Sequence, residues 1–289
     1  MRYKHWTPKL RKYIVRQAQA GITPISDIAK YRKVPRRTIY YLINKFRKGG
    51  FANLIPKPRG RKKDSLNHKF IELVVSEWKQ FKCGSHKMWL RLKARGFTVS
   101  ERKIQAVYKE NGFKLNNRSR PSQIKFVKYE YPIPNMLWHT DWSHDPRTNQ
   151  NIIAFIDDCT RLLVHAEIFA HSTTENTILA FKNAIAKYGK PDAILTDNGT
   201  QFTPAKTEKG PFSEFCEQNG IKHILGRIHH PQTNGKVERW FGTYKLEFDE
   251  RFTTLNQFIR FYNEDRIHQG IGYLTPQEKW NKLKSVQIN

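Results

Sequence analysis

Near residue 135 the spacing of apolar residues changes, and that change most restricts what the chain can fold into. Before it, apolar positions recur every three or four residues in short runs broken by Gly and Pro, the period of helices. After it come short apolar runs of strand length, such as Ile152-Ile153-Ala154-Phe155-Ile156, alternating with helical stretches. The pattern predicts all-α domains followed by an α/β domain. The charge divides at nearly the same place. Residues 1–130 hold 34 Lys and Arg against 7 Asp and Glu, residues 131–289 hold 18 of each, and so the whole net charge of +27 belongs to the first part. That part is the natural binder of a polyanion, while the second is electrostatically ordinary.

Residues 1–50 read as three short helices, at about 8–19, 25–31 and 36–47. Thr7-Pro8 opens the first, Ser26 or Thr23 is available to cap the second, and Pro35 and Gly49-Gly50 bracket the third. In the third, Ile39, Leu42, Ile43 and Phe46 form an apolar stripe that leaves Arg36, Arg37, Tyr40 and Tyr41 off it. A compact three-helix unit with a basic, aromatic outer face fits a helix-turn-helix DNA-binding domain. The plain alternative is a bundle with a solvated basic face, and the charge excess favours DNA. Residues 64–112 repeat the theme, with helices at about 67–81, 85–95 and from Ser100 to Asn111-Gly112, and with Arg102 and Lys103 off the Ile104–Val107–Tyr108 stripe.

Two linkers separate these units. Residues 51–63 contain Lys57-Pro58-Arg59-Gly60-Arg61-Lys62, which resembles an AT-hook, whose arginines enter the narrow minor groove of A·T tracts. A solvated basic linker is the equal alternative for Arg59 and Arg61. Residues 113–134 form the second linker. Two helix-turn-helix modules on one tether would read a longer DNA site than either alone.

From 135 to 250 the order is three meandering strands, a helix at about 174–188, a strand at 193–196, a helix at 211–219, a short strand at 221–225 and a long helix beginning at Asn234-Gly235. This is a mixed five-stranded sheet flanked by helices. Residues 251–289 read as further helices. In the long helix, Val237, Phe241, Tyr244 and Phe248 make the buried stripe, with Glu238, Gly242, Lys245 and Asp249 on the adjoining face.

Three acids stand out. Asp141 lies inside a strand, where Asp is depleted. Asp197 follows a strand's C-terminal end, where α/β sheets carry their sites. Glu238 lies on a helix that should face the same region. Each alone is more often structural. Brought together, three carboxylates repel one another unless cations neutralise them. Hard oxygen donors suit Mg2+ or Mn2+, and two such ions can activate a water or 3′-hydroxyl against a phosphodiester without a protein base.

The motifs Trp138-His139-Thr140-Asp141, Thr196-Asp197-Asn198-Gly199-Thr200-Gln201-Phe202 and His230-Pro231-Gln232-Thr233-Asn234-Gly235-Lys236-Val237-Glu238-Arg239 carry a resemblance, with Tyr262-Asn263, Arg266, His268 and Thr275-Pro276 behind them. The chain resembles the DDE transposase and retroviral integrase superfamily, and more narrowly insertion-sequence transposases with helix-turn-helix domains ahead of the core. The resemblance implies an RNase H-like fold, catalytic and metal-binding roles for Asp141, Asp197 and Glu238, two Mg2+ or Mn2+ ions, and DNA contacts by Lys236, Arg239 and Lys245. It implies cleavage at element ends, joining to target DNA, and at least a dimer when active. Two departures stand against it. The 40 residues between Asp197 and Glu238 exceed the family's usual spacing, which an insertion at 203–211 would absorb, and Ile267 stands where proline is common.

The alternative is a DNA-binding regulator that kept the fold and lost catalysis; an altered triad would mark it. No 18-residue apolar run and no apolar segment behind Met1-Arg2-Tyr3-Lys4-His5-Trp6 is present, so neither a membrane span nor a signal peptide is expected. Cys83, Cys159 and Cys216 lack CxxC or zinc-finger spacing, which fits a reduced, cytoplasmic and nucleoid-associated protein.

Overall fold

The structure, a computed structural model, describes residues 7–56, 66–114, 130–203, 210–226 and 234–287. The chain divides into two compact units, 1–65 and 66–289. The AT-hook-like run with Arg59 and Arg61 lies outside the described residues.

In the first unit, α1 (Pro8–Ala20), α2 (Ile25–Arg32) and α3 (Arg36–Gly49) enclose Ile14, Val15, Ile28, Ile39 and Leu42, and Leu54 of a following 3-10 turn closes the core. The Thr7 side chain accepts from the Leu10 N–H at 3.3 Å, and Gly21 ends α1 at φ 69°, a left-handed position glycine takes without strain. Neither Thr23 nor Ser26 caps α2; its N-cap is Pro24, which has no side-chain donor or acceptor. Arg36, Arg37, Tyr40 and Tyr41 are exposed on α3. This is the helical, helix-turn-helix region.

The second unit begins with α4 (His68–Phe81), α5 (Ser85–Ala94) and α6 (Glu101–Glu110), packed around Val74, Met88, Leu92, Ile104 and Val107. Trp78 stacks on Phe113, with ring centroids 4.0 Å apart. Arg102 and Lys103 are exposed on α6. These helices join the sheet-bearing part of the chain in one compact unit. Lys82 Nζ pairs with Asp249 at 2.8 Å and with Glu250 at 2.5 Å, Arg251 donates to the Gln80 carbonyl at 3.0 Å, and Arg91 donates to the Asp265 carbonyl at 2.9 Å. Polar contacts between segments this far apart leave no trace in apolar periodicity, so the sequence presents residues 64–112 as a free-standing module.

The sheet contains β1 (Leu137–Asp145), β2 (Gln150–Asp157), β3 (Leu163–Phe169), β4 (Ala193–Thr196) and β5 (Lys222–Leu225) in the order β3-β2-β1-β4-β5. The first three are antiparallel; β4 lies parallel to β1, and β5 parallel to β4. This is the RNase H-like arrangement. Strand β2 is apolar on both faces, with Ile152, Ala154 and Ile156 on one and Ile153 and Phe155 on the other, so both faces of the sheet need covering. On one face α7 (Thr174–Tyr188) and α8 (Pro211–Gln218) pack Phe181, Phe212 and Cys216 against Trp138, Ile153 and Phe155. On the other, α9 (Gly235–Glu247) and α10 (Leu255–Arg260) pack Val237, Trp240, Phe241, Tyr244 and Phe258 against Ile152, Ala154 and Ile156. Helix α9 ends at Glu247, so Asp249 falls beyond it and pairs instead with Lys82 and Arg251.

The Tyr262-Asn263 motif lies in a π-helical turn, Phe261–Asp265, that continues α10. Buried Asn263 accepts from the Leu163 N–H and donates to the Leu163 carbonyl, both at 2.9 Å, and so satisfies β3's first residue where the β2–β3 register shifts. Arg266 grips Glu247 at the end of α9 with two hydrogen bonds, 2.8 and 2.7 Å. The chain closes with α11 (Pro276–Gln287). Among the described residues, no helix is long and apolar enough to cross a membrane.

Candidate active site

The parallel pairing of β1 with β4 sets Leu137 opposite Ala193, Trp138 opposite Ile194 and His139 opposite Leu195. Carried two residues further, the same offset places Asp141 opposite Asp197, on strands roughly 4.8 Å apart. Side chains alternate along a strand, so Asp141 shares its face with His139, Ser143 and Asp145, the face covered by α9. Helix α9 and its N-cap are held to β1 by three contacts and to the residue after β2 by a fourth. Asn234 Nδ2 donates to the Thr140 carbonyl at 3.2 Å, Lys236 pairs with Asp158, Lys245 Nζ donates to Ser143 Oγ at 2.9 Å, and the Tyr244 hydroxyl donates to Asp145 at 3.0 Å. Those contacts bring Glu238, in the first turn of α9, over the same end of the sheet.

Each carboxylate has its own setting. Asp141 is partly buried and its Oδ1 accepts from the Trp142 N–H at 2.8 Å. Asp197 is exposed, and its Oδ1 accepts from the Gly199 N–H at 3.0 Å, an Asx turn. The turn is braced from β5's end. Gly226 N–H donates to the Thr196 carbonyl at 2.7 Å and Asn198 Nδ2 donates to the Gly226 carbonyl at 3.1 Å; a Cβ on Gly226 would sit 3.2 Å from that Thr196 oxygen. Glu238 is exposed.

Electrostatics join the three. The Asp141 carboxyl is raised from 3.8 to about 7, first by burial, then by the charge of Asp197 and to a lesser degree that of Glu238, against the pull of the Trp142 N–H. Among the described residues, no cation contributes to that balance. Among the described residues no three His, Cys, Asp or Glu side chains close on one point as ligands of a single ion would. The donor set nevertheless fits a hard divalent cation, since all its atoms are carboxylate oxygens and their mutual repulsion is what such an ion relieves.

The other sequence-derived residues separate. Arg239 and Lys245 are exposed on α9. Lys236 is turned inward: its Nζ pairs with Asp158, which is 3% exposed and also takes a 2.6 Å contact from His139 Nε2 and the Tyr131 N–H at 2.7 Å. Burial alone would raise the Asp158 carboxyl, but hydrogen bonds from His139 and Lys236 outweigh it and hold it well below the usual carboxylate range. In this structure Lys236 clamps α9 to the end of β2. In the sequence Asp158 is one of two acids, Asp157-Asp158, that follow an apolar run, and Asp157 itself accepts from the Thr160 and Asn135 N–H groups.

His223 braces the site from β5. Its Nε2 lies 2.9 Å from Thr196 Oγ1, next to Asp197, and its Nδ1 lies 2.8 Å from Ser213 Oγ. Burial lowers it to about 4, below its unfolded 6.5. A folded group that resists its proton contributes stability above pH 6.5 that is lost as pH falls through 4. Urea melts at pH 7 and pH 4.5 should differ by on the order of 1–2 kcal/mol from this group, and His223→Gln should flatten the difference; identical profiles would exclude it.

Comparison with known proteins adds the following. Residues 132–231 match the integrase core domain family, residues 219–276 a second integrase core domain model, and residues 10–63 a helix-turn-helix domain. The "Insertion element IS476 uncharacterized 39.2 kDa protein" of Xanthomonas euvesicatoria is 27% identical over 207 residues, covering 66% of this chain and 58% of that protein. The "Insertion element IS407 uncharacterized 31.7 kDa protein" of Burkholderia multivorans is 23% identical over 210 residues, covering 68% and 74%. The Gag-Pro-Pol polyprotein of squirrel monkey retrovirus is 33% identical over 114 residues, covering 39% of this chain but 6% of the polyprotein. Among solved structures, a simian T-cell lymphotropic virus intasome in complex with PP2A regulatory subunit B56 gamma covers 72% of this chain and 74% of its own, at 18% identity and a TM-score of 0.46.

Proposed function

We propose that this chain, which belongs to the DDE transposase and retroviral integrase superfamily, is a DNA transposase. It binds the ends of its mobile element, hydrolyses a phosphodiester there, and joins the freed 3′-hydroxyl to target DNA. The observation that carries this reading is the placement of three carboxylates, Asp141, Asp197 and Glu238, at one end of the sheet, where burial first and the other two charges after it raise the Asp141 carboxyl to about 7. Two Mg2+ or Mn2+ ions, when bound, would supply activation of a water or hydroxyl and charge stabilisation at the leaving oxygen. Asp141, Asp197 and Glu238 would hold them.

The chain's other residues bind and orient DNA. Arg36, Arg37 and Tyr40 on α3 form the outer face of the matched helix-turn-helix domain. Arg102 and Lys103 on α6, and Arg239 and Lys245 on α9, add exposed cations on the unit that holds the acids. Arg59 and Arg61, in the basic run at 57–62, would add further contacts to the DNA backbone. Joining two element ends to one target requires at least two copies of the chain. The regulator reading is disfavoured because all three acids are retained, and nothing in catalytic inactivity would require Asp141 to remain under repulsion.

The test is a strand-transfer assay with labelled duplexes carrying the sequences that flank the gene, in Mg2+ and in Mn2+, beside Glu238→Gln. Metal-dependent nicking and joining that drop to background in the variant are expected. Salt-sensitive binding without cleavage in either metal would favour the regulator, and cleavage surviving in the variant would dismiss Glu238 as the third acid.

A further inference from the structure

Away from the three acids, a cleft of about 490 Å3 lies between α4–α5 and the C-terminal end of α9. Six cations line it, Lys82, Lys87, Arg91, Lys114, Arg251 and Arg266, against three acids, Glu247, Asp249 and Asp265. Two of the acids are already engaged. Both Glu247 oxygens accept from Arg266, and Asp249 is shared between Lys82 at 2.8 Å and Arg251 at 2.7 Å. Asp265 balances at most one further cation.

Arg91 is supplied as well, donating to the Asp265 carbonyl at 2.9 Å with its Nε 4.0 Å from Glu77, so the cation left without a counter-charge is Lys87. Lys87 makes no hydrogen bond or ion pair with any described residue, although its side chain is largely enclosed. Burial, and after it the charge of Arg266, lowers the Lys87 ammonium to about 8, with Glu247 only partly offsetting them. Lys114 stands exposed at the rim. Enclosing a lysine without a counter-charge is costly, and an anion placed beside it removes that cost.

We propose that this cleft is a phosphate site, centred on Lys87, that seats the DNA backbone; the choice of DNA rests on the function proposed above. Glu247 ends α9 nine residues after Glu238, roughly 13 Å along the helix axis. At about 3.4 Å of rise per nucleotide, the seated phosphate lies about four nucleotides from the reacting one. Exposed Lys245 stands between the two places on the same helix. A strand held at both points cannot pivot about the cut, so the cleft contributes alignment as well as affinity.

The experiment is lysine acylation of the full chain near pH 8, read by mass spectrometry, free, with duplex DNA, and with inorganic pyrophosphate alone. It is paired with the salt dependence of duplex binding by Lys87→Gln. The proposal expects DNA to shield Lys87 from the reagent and the slope of log K against log salt to fall by about 0.9 in the variant, the loss of one phosphate contact. Equal labelling of Lys87 with and without DNA that is bound, and an unchanged slope, would overturn the cleft while leaving the transposase reading intact. If the wild-type chain binds no duplex, the transposase reading fails, and the pyrophosphate arm decides: shielding retains a phosphate site for a free anion and discards DNA, and no shielding discards both.

Discussion

Asp141→Asn is expected to make the metal-free protein more stable at neutral pH and to leave it unable to cleave DNA. The folded Asp141 carboxyl titrates near 7, against 3.8 in a free side chain, because burial and then Asp197 and Glu238 oppose its charge. The folded state therefore keeps a proton that the unfolded chain has already released, and metal-free stability falls as pH rises from about 4 to about 7 and is level above that. The full shift would correspond to about 4 kcal/mol; partial solvent access reduces this to on the order of 2 kcal/mol. Asparagine cannot ionise, so the variant should show no such fall. Divalent metal should act in the opposite sense on the wild type, raising its melting temperature at pH 8 by neutralising the cluster, and should do less for the variant. Thermal melts at pH 5 and pH 8, in EDTA and in Mg2+, test both. Parallel curves for the two proteins would show that the Asp141 charge is not under strain, and the metal-binding argument would lose its main support.

What the sequence made legible follows from what each feature depends on. Helix α7 was readable at both ends because its Thr173 cap and its Gly189-Lys190-Pro191 stop are local signals. Strand β4 was readable because Ala193 to Thr196 is short, apolar and bounded by turn residues. The positions of Asp141, Asp197 and Glu238 were readable because strand, strand end and helix are each local, and the register between β1 and β4 then brings two of them opposite each other. Interactions between distant segments were not readable. The sequence could show the Asn263 motif but not that it completes the edge of β3 100 residues away. Likewise Lys236 beside Glu238 looks like a DNA-facing lysine on a helix, and only the fold supplies the buried Asp158 it pairs with. The joining of residues 66–114 to the sheet-bearing part uses Lys82, Arg91 and Arg251 beside Phe81, which packs against the α9–α10 core, and any surface helix could carry such residues.

That difference makes Lys236 the position where a DNA contact and a structural clamp predict opposite results. Lys236→Met should lower stability by about 3 kcal/mol, since breaking a buried pair leaves a charge in a poorly solvated place. Asp158 is 3% exposed, and among the described residues its carboxylate would keep His139 Nε2 and the Tyr131 N–H after the substitution. The loss falls on the first turn of α9, two residues before Glu238, where Asn234 also holds the Thr140 carbonyl. Cleavage should therefore decline more than DNA affinity does. Adding Asp158→Asn to Lys236→Met should recover part of the stability, because the double variant no longer buries an unpaired carboxylate; such non-additivity is the signature of a direct pair. A lysine that touched DNA would behave otherwise. Its loss would leave the melting temperature unchanged, lower the salt slope of DNA binding by about 0.9, and show no recovery with Asp158→Asn. Urea melts of the two single variants and the double variant, beside their salt titrations, separate these outcomes, and an unchanged melt for Lys236→Met would return this residue to the DNA-facing set.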